Sequence, residues 1–294
     1  MNSLEKFLFI VNPKSGTNRN KNIQTLIKES KLFENEVWEV KETQYAGHAV
    51  ELVKDAIAAN IRYIVAVGGD GTMNEVASVM RNTNSVMGII PMGSGNGLAR
   101  HLNIPLDILG ALETLLHKNV KTIDSCFLDQ TLFFCTSGLG FDACVSERFA
   151  QLNSRGIQNY IKASFSEYFR YKPLELELTI DGVDHRFENV FACTFANAAQ
   201  FGNNAVIAPS ANISDGIVEI SILKMFPLWA SPTLAYRLFT SSIDKSKYFT
   251  GLRGKSITIK KANTRIAHID GDPLPVTFPL QLEVSSNDLS LLLP

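Results

Sequence analysis

Gly68-Gly69-Asp70-Gly71-Thr72 lies between an apolar run, Tyr63–Val67, and a stretch of helical character beginning at Met73. Glycines at the carboxyl end of a strand let the backbone turn tightly and approach a phosphate, and the unpaired N–H groups of a following helix carry partial positive charge. The acidic member needs a second reason. Beside a polyphosphate, Asp70 would repel the ligand unless it holds Mg2+, directly or through water, or takes a proton from an attacking group. Without any ligand the same residues describe a capped helix start, in which Thr72 and Glu75 fit a capping box.

Two more segments have comparable chemistry. Asn12-Pro13-Lys14-Ser15-Gly16 follows the apolar run Phe7–Val11, and its lysine and hydroxyl suit phosphate oxygens, although such a turn alone is an ordinary loop. Pro91-Met92-Gly93-Ser94-Gly95-Asn96-Gly97 follows Val86–Pro91 and offers a second wall for a nucleotide. It breaks the dinucleotide fingerprint, because the third glycine falls at 97 and not 98, and no Walker lysine is present.

These turns need a scaffold that gathers them. The first 120 or so residues alternate short apolar runs with helical patterns at Asn22–Leu32, Ala46–Asn60, Met73–Arg81, Asn96–His101 and Leu106–His117. Such alternation predicts an α/β domain, a parallel sheet with helices on both faces, and ligands bind beyond the carboxyl ends of its strands. Beyond about residue 122 the texture becomes β-rich, at Leu132–Cys135, Leu174–Ile180, Val190–Phe195, Val218–Leu223, Ser256–Lys260, Ile266–Ile269 and Leu280–Val284. Asp181-Gly182 and Asp215-Gly216 are turn signals. The expectation is a nucleotide-binding domain over 1–122 and a β-sandwich-like domain over 123–294, with helical insertions at Val145–Tyr171 and Phe226–Ser242. A last strand near 289–294 is free to return to the first domain.

Composition narrows the partners. The chain has 294 residues, 45% of them hydrophobic, enough for two domains with real cores. A formal net charge of -1 gives no global field for nucleic acid, so none is expected as a partner. Cys126, Cys135, Cys144 and Cys193 stand singly and the five histidines lack ligand spacing, which argues against zinc or disulfides and for a reducing cytoplasm. No apolar segment approaches the length of a transmembrane helix, and Phe7–Val11 is too short for a signal peptide.

The ordered set of motifs resembles the diacylglycerol and sphingosine lipid kinases: Asn-Pro-x-Ser-Gly at 12–16, Gly-Gly-Asp-Gly-Thr at 68–72, the Pro91–Asn96 segment, Ile123-Asp124, Gly138-Leu139-Gly140-Phe141-Asp142, Asp215-Gly216 and Asp270-Gly271-Asp272. The resemblance covers nearly the whole chain. It implies a two-domain enzyme with an interdomain cleft that phosphorylates a lipid hydroxyl with ATP and Mg2+. By the same resemblance Asn12 to Gly16, Thr43, Gly68, Gly69, Asp70, Gly71, Thr72, Met73, Asn74, Glu75 and Gly93 to Asn96 (Gly93, Ser94, Gly95, Asn96) would line the nucleotide. Asp70 and Asp124 would organise Mg2+ through waters, and Asn212, Asp215 and Ile217 match a structural Mg2+ site of bacterial diacylglycerol kinases whose usual lysine is Asn212 here.

A lipid alcohol needs a carboxylate to receive its proton during phosphoryl transfer. Asp272 supplies one, a methylene shorter than the glutamate usual in the family, which keeps Asp270 and Asp70 as alternatives; a plain solvated turn is the bland alternative. Gly97 stands where diacylglycerol kinases carry Asp, and sphingosine kinases resemble this chain more closely there. The other functions in play are a non-catalytic nucleotide or lipid sensor on the same fold and a kinase of a soluble metabolite.

A lipid acceptor places the protein in the cytoplasm, working peripherally at the inner membrane face; a homodimer stays open. Phe149–Tyr171 mixes Phe149, Tyr160, Phe165, Tyr168, Phe169 and Tyr171 with Arg148, Arg155, Lys162, Arg170 and Lys172, a composition that suits lipid headgroups or an ordinary packed helix. Phe226-Pro227-Leu228-Trp229 with Pro232 reads as a second apolar contact or as core.

Overall fold

Strand β1 (Leu4–Val11) pairs in parallel with both β2 (Val37–Glu42) and β3 (Ile61–Gly68), so the chain leaves β1 toward one edge of the sheet and then returns to build the other. β4 (Val86–Pro91) continues that second direction, pairing in parallel with β3. This arrangement comes from a computed structural model, which describes residues 4–16, 22–150, 168 and 170–294. The reversal between β1 and β3 is a topological switch point, the place where an open α/β sheet leaves a crevice beyond its strand ends.

Helices α1 (Ile23–Ser30), α2 (His48–Ala58), α3 (Asp70–Met80), α4 (Gly97–His101) and α5 (Ile108–Leu116) follow these strands in turn. Ile64 to Val67 of β3 are fully buried, as are Phe7 to Ile10 of β1, the pattern of a parallel sheet covered on both faces. Each such aliphatic side chain contributes about 1.5–3 kcal/mol by leaving water, so Val65→Asp would break the layer. Phe7 stacks on Tyr63 at 4.5 Å and meets Phe33 edge-on at 5.2 Å, closing the end of the sheet away from the turns. Asp107 caps α5 by accepting the Gly110 N–H at 2.8 Å.

The chain divides into two units, Met1–Ile123 with Asn287–Pro294, and Asp124–Ser286. Strand β5 (Val120–Leu128) carries the chain into the second, which holds β6 (Thr131–Phe133), β7 (Thr136–Gly140), α6 (Phe141–Ala150), β8 (Leu174–Ile180), β9 (Val183–Ala196), β10 (Val218–Lys224), α7 (Ser231–Phe239), β11 (Phe249–Gly254), β12 (Ser256–Ala262), β13 (Ile266–Ile269) and β14 (Asp272–Pro275). The 14-residue β9 pairs antiparallel with β8 through its first half and with β7 and β10 through its second. One apolar cluster, including Phe133, Leu178, Phe195, Ile220 and Ile259, fills this β-sandwich-like unit. β15 (Leu280–Leu292) pairs first with β12, and its Leu291 pairs in parallel with Met87 of β4.

Several elements differ from the sequence reading. The strand expected over Leu132–Cys135 is two strands, β6 and β7, bent apart at Phe134-Cys135. β11 was not expected, because Gly251 and Gly254 dilute its pattern. The helix expected from Val145 starts at Phe141. Most of the aromatic and basic insertion, 151–167 and 169, lies outside the described residues.

Candidate active site

The turn after β3 enters its helix sooner than a capping box permits. Gly69 is the N-cap, with no side-chain cap bond, and Asp70 is already helical. Thr72 and Glu75 are engaged elsewhere: Thr72 Oγ1 accepts from Asn12 Nδ2 at 3.0 Å, and Glu75 Oε1 accepts the Gly47 N–H at 3.2 Å. The capping-box reading is thus corrected. The first backbone bond of α3 is Met73 N–H to Gly69 C=O at 3.1 Å, which leaves the N–H groups of Asp70 to Thr72 ahead of the helical ladder.

Three turns meet at this point. The Asn12 N–H bonds Val67 C=O at 3.0 Å, the Met92 N–H bonds Gly68 C=O at 2.6 Å, and the Thr43 N–H bonds Val11 C=O at 2.8 Å, so the strand ends are tied level. A Cβ on Gly93 would lie 2.7 Å from Gly69 Cα, and one on Gly16 would lie 2.5 Å from the Met92 carbonyl oxygen. Only glycine permits these backbone approaches. Asn12 Oδ1 accepts the Lys14 N–H at 3.0 Å and thereby shapes the first turn, whose Pro13 and Lys14 are exposed and whose Ser15 is half-buried. Ser94 and Gly71 are exposed and Asn74 is half-buried. Met73 is turned into the core at 3% exposure, which removes its side chain from the candidate nucleotide contacts.

Asp70 is the brace of the cluster. Its Oδ2 accepts the Asn96 N–H at 2.9 Å and its Oδ1 the Gly97 N–H at 2.8 Å, placing negative charge at the start of α4. Asn96, in the left-handed region, closes its own loop by accepting the Gly93 N–H and donating to the Gly93 C=O, both at 2.8 Å. Arg100 Nε adds a bond to Gly95 C=O at 3.0 Å.

In the second unit, β13 and β14 are joined by Asp270-Gly271, both with positive φ (47° and 90°), the geometry of a two-residue hairpin. The Asp270 carboxylate accepts three backbone N–H groups: Cys135 and Thr136 on Oδ1 at 2.9 Å each, and Phe134 on Oδ2 at 3.1 Å. This grip bends β6 away from β7. Asp272, the first residue of β14, is exposed.

Asp124 is fully buried, its Oδ2 accepting the Gly216 N–H at 2.6 Å and its own N–H bonding Ile213 C=O at 2.7 Å. It ties down the 212–216 loop, a surrounding that does not suit a metal's water shell. Asn212 Oδ1 accepts the Ser214 N–H at 3.1 Å, Asp215 Oδ1 accepts the Ile217 N–H at 3.1 Å, and Asp215 Oδ2 is held by Arg253 Nη2 at 2.5 Å. The guanidinium supplies the positive charge that a cation would bring, so these residues do not fit a structural Mg2+. Among the described residues no group of three His, Cys, Asp or Glu side chains could hold a metal ion.

One pair escaped sequence reasoning. His268, given no role for want of ligand spacing, is buried, and its Nε2 lies 3.2 Å from Asp142 Oδ2, which also accepts from Thr194 Oγ1 at 3.1 Å. The aspartate of Gly138–Asp142 was the visible half; its partner is 126 residues away and carried no local signal. Burial, with the Asp142 charge adding to it, pushes the nearby Cys193 thiol and Tyr171 phenol up from their ordinary values, so both stay neutral.

Comparison with known proteins agrees with this layout. Residues 6–128 match the diacylglycerol kinase catalytic domain, and residues 136–293 match the YegS C-terminal NAD kinase beta sandwich-like domain. A protein of Pseudomonas syringae pv. tomato named "Probable lipid kinase YegS-like" is 30% identical over 244 residues, 81% of this chain and 78% of its own length. A protein of Mycobacterium tuberculosis named diacylglycerol kinase is 25% identical over 248 residues, 82% of this chain and 79% of its own. A crystal structure of a diacylglycerol kinase from Bacillus anthracis shares the fold with a TM-score of 0.74, at 18% identity, covering 100% of this chain and 98% of that one. The chain therefore belongs to the diacylglycerol kinase and YegS-like family of lipid kinases, which are phosphotransferases.

Proposed function

We propose that this chain transfers the γ-phosphoryl group of ATP to a hydroxyl group of a membrane lipid. The observation that carries the reading is the meeting of three glycine-rich turns beyond the switch point, at backbone approaches too close for any Cβ, beside the N-terminus of α3, where phosphate oxygens are favoured. In this reading Asn12 to Gly16, Gly68 to Thr72 and Gly93 to Asn96 contact the nucleotide, with Thr43 and Glu75 at the margin. Bound Mg2+ would neutralise phosphate charge, and Asp70 is the residue assigned to its water shell.

The lipid oxygen attacks the γ-phosphorus; the new O–P bond forms as the bond to ADP breaks, and the hydroxyl proton passes to a carboxylate. We assign that role to Asp272. It is exposed, whereas the oxygens of Asp270 are turned to three backbone donors. The test is ATP-dependent phosphorylation of diacylglycerol, sphingoid bases and ceramide in mixed micelles with Mg2+. At least one lipid is expected to be phosphorylated, and Asp272→Asn should lower turnover on the order of a hundredfold or more. Well-folded protein that modifies no lipid would sink the proposal.

A further inference from the structure

Large aromatic side chains rarely stand in water together, yet one short segment of the second unit exposes three. Trp229 is 73% exposed, Tyr236 69% and Phe239 53%, with Leu228 beside them at 38%. The 3-10 turn Leu228–Ala230 runs directly into α7, so positions 229, 236 and 239 recur at helical spacing and share one face. The opposite face is already used: Ala230 and Leu234 are buried with Phe191 and Phe226, and Leu238 packs against the same cluster. The outer stripe is therefore not a core face left over by chance packing. An exposed patch of this kind marks an interaction surface.

Charge says what it meets. From Lys224 to Tyr248 the chain carries Lys224, Arg237, Lys245 and Lys247 against a single acid, Asp244, four cations to one anion in a protein whose formal net charge is -1. One of these cations lies on α7, and the others flank the apolar cluster on which α7 packs. Arg237 lies on α7, Lys245 ends the 3-10 turn whose Ile243 is in the buried cluster, the Lys224 N–H bonds Tyr248 C=O at 2.8 Å, and Lys247 Nζ sits 5.1 Å over the Tyr248 ring. Exposed aromatic rings in a segment with an excess of lysine and arginine are the composition of a segment lying in the headgroup layer of an anionic bilayer. A second copy of this chain is a poorer fit, because a twofold contact would set four cations against four. Turn and helix together are too short to cross a membrane, so the segment lies in its plane.

We infer that the Leu228–Phe239 face is the surface by which this protein docks on anionic membranes, an inference that rests on the proposed lipid acceptor for its biological purpose. The chain holds two tryptophans, so Trp38→Phe leaves Trp229 as a lone reporter. With phosphatidylcholine vesicles containing phosphatidylglycerol, its emission is expected to shift to the blue and to be quenched by brominated acyl chains; without the anionic lipid the effect is expected to weaken. A variant carrying Trp229→Ser, Tyr236→Ser and Phe239→Ser should lose on the order of tenfold or more in vesicle affinity. It should phosphorylate a short-chain, water-dispersed lipid as the unaltered protein does.

An emission spectrum indifferent to vesicles, in protein that phosphorylates the short-chain lipid, would overturn the docking face alone. So would a triple variant that binds vesicles normally but changes from dimer to monomer in light scattering, since a second copy then covers the stripe. Vesicle binding through Trp229 without kinase activity on any lipid would support the docking face and overturn the proposed reaction.

Discussion

The chain carries two Asp-Gly turns of functional interest, and they use their carboxylates differently. In the first unit Asp70 spends its oxygens on the N–H groups of Asn96 and Gly97, locking one glycine-rich turn to another. In the second, the work is divided within one hairpin: Asp270 grips the backbone of Phe134 to Thr136, and Asp272, two residues on, is left at the surface. Where a turn has one acid, scaffold and chemistry must share it. With two, they separate.

The sharpest way to break that division is to remove each hairpin acid in turn. Asp272→Ala is expected to lower kcat by about 10²–10⁴-fold, the loss typical of a missing proton acceptor, with a smaller drop in the urea midpoint than Asp270→Ala. Asp270→Ala should do the reverse of this, because three backbone N–H groups lose their acceptor: a stability loss of about 3 kcal/mol or more, read from urea unfolding. If Asp270→Ala proved stable and inactive while Asp272→Ala was active, the assignment would be the wrong way round.

The counterpart in the first unit is Gly93→Ala. Its methyl group would meet Gly69 Cα, backbone that no side-chain rotation can clear, so the two turns must part. ATP affinity by calorimetry should fall by on the order of a hundredfold, the effect of an ångström-scale misplacement, with the sheet beneath intact by circular dichroism. Unchanged affinity would show that the turns do not need their close contact to hold nucleotide.

A smaller effect tests the Asp215 loop, where an ion pair stands in the position of an expected metal. The thermal midpoint of the ligand-free protein should be insensitive to Mg2+ and to EDTA. Arg253→Ala should cost only about 0–1 kcal/mol, because the arginine side chain is half-exposed. A midpoint that rises with Mg2+ in the unaltered protein would restore the cation.

What could be read in the residues, and what could not, follows the range of the forces involved. β3 and β4 announce themselves as apolar runs ended by Gly68 and Pro91, because burial on both faces leaves a local mark. The α/β and β-rich textures, and the family, were legible for the same reason. The start of α3 was misread at Thr72 because its true N-cap, Gly69, has no side chain to signal it. The break between β6 and β7 could not be seen locally at all: it is imposed by Asp270, 134 to 136 residues further along. Which of the candidate acids brace backbone was not legible, since that depends on which N–H groups the fold brings near.

The Asp70 brace can also be loosened by acid from its far end. His101 ends α4, the helix whose first N–H groups Asp70 receives, and burial holds its imidazole below the ordinary value of 6.5. Below that value the unfolded chain binds a proton that the folded chain resists, so the unfolded state holds more protons and stability falls as pH falls. The loss begins as pH drops through 6.5, continues down to the lowered folded value, and is absent above 6.5. Thermal midpoints should therefore decline as pH falls below 6.5 and level off below the lowered folded value, and decline less in His101→Gln, which cannot take up the proton. A His101→Gln protein with the unaltered slope would remove the acid sensitivity from α4.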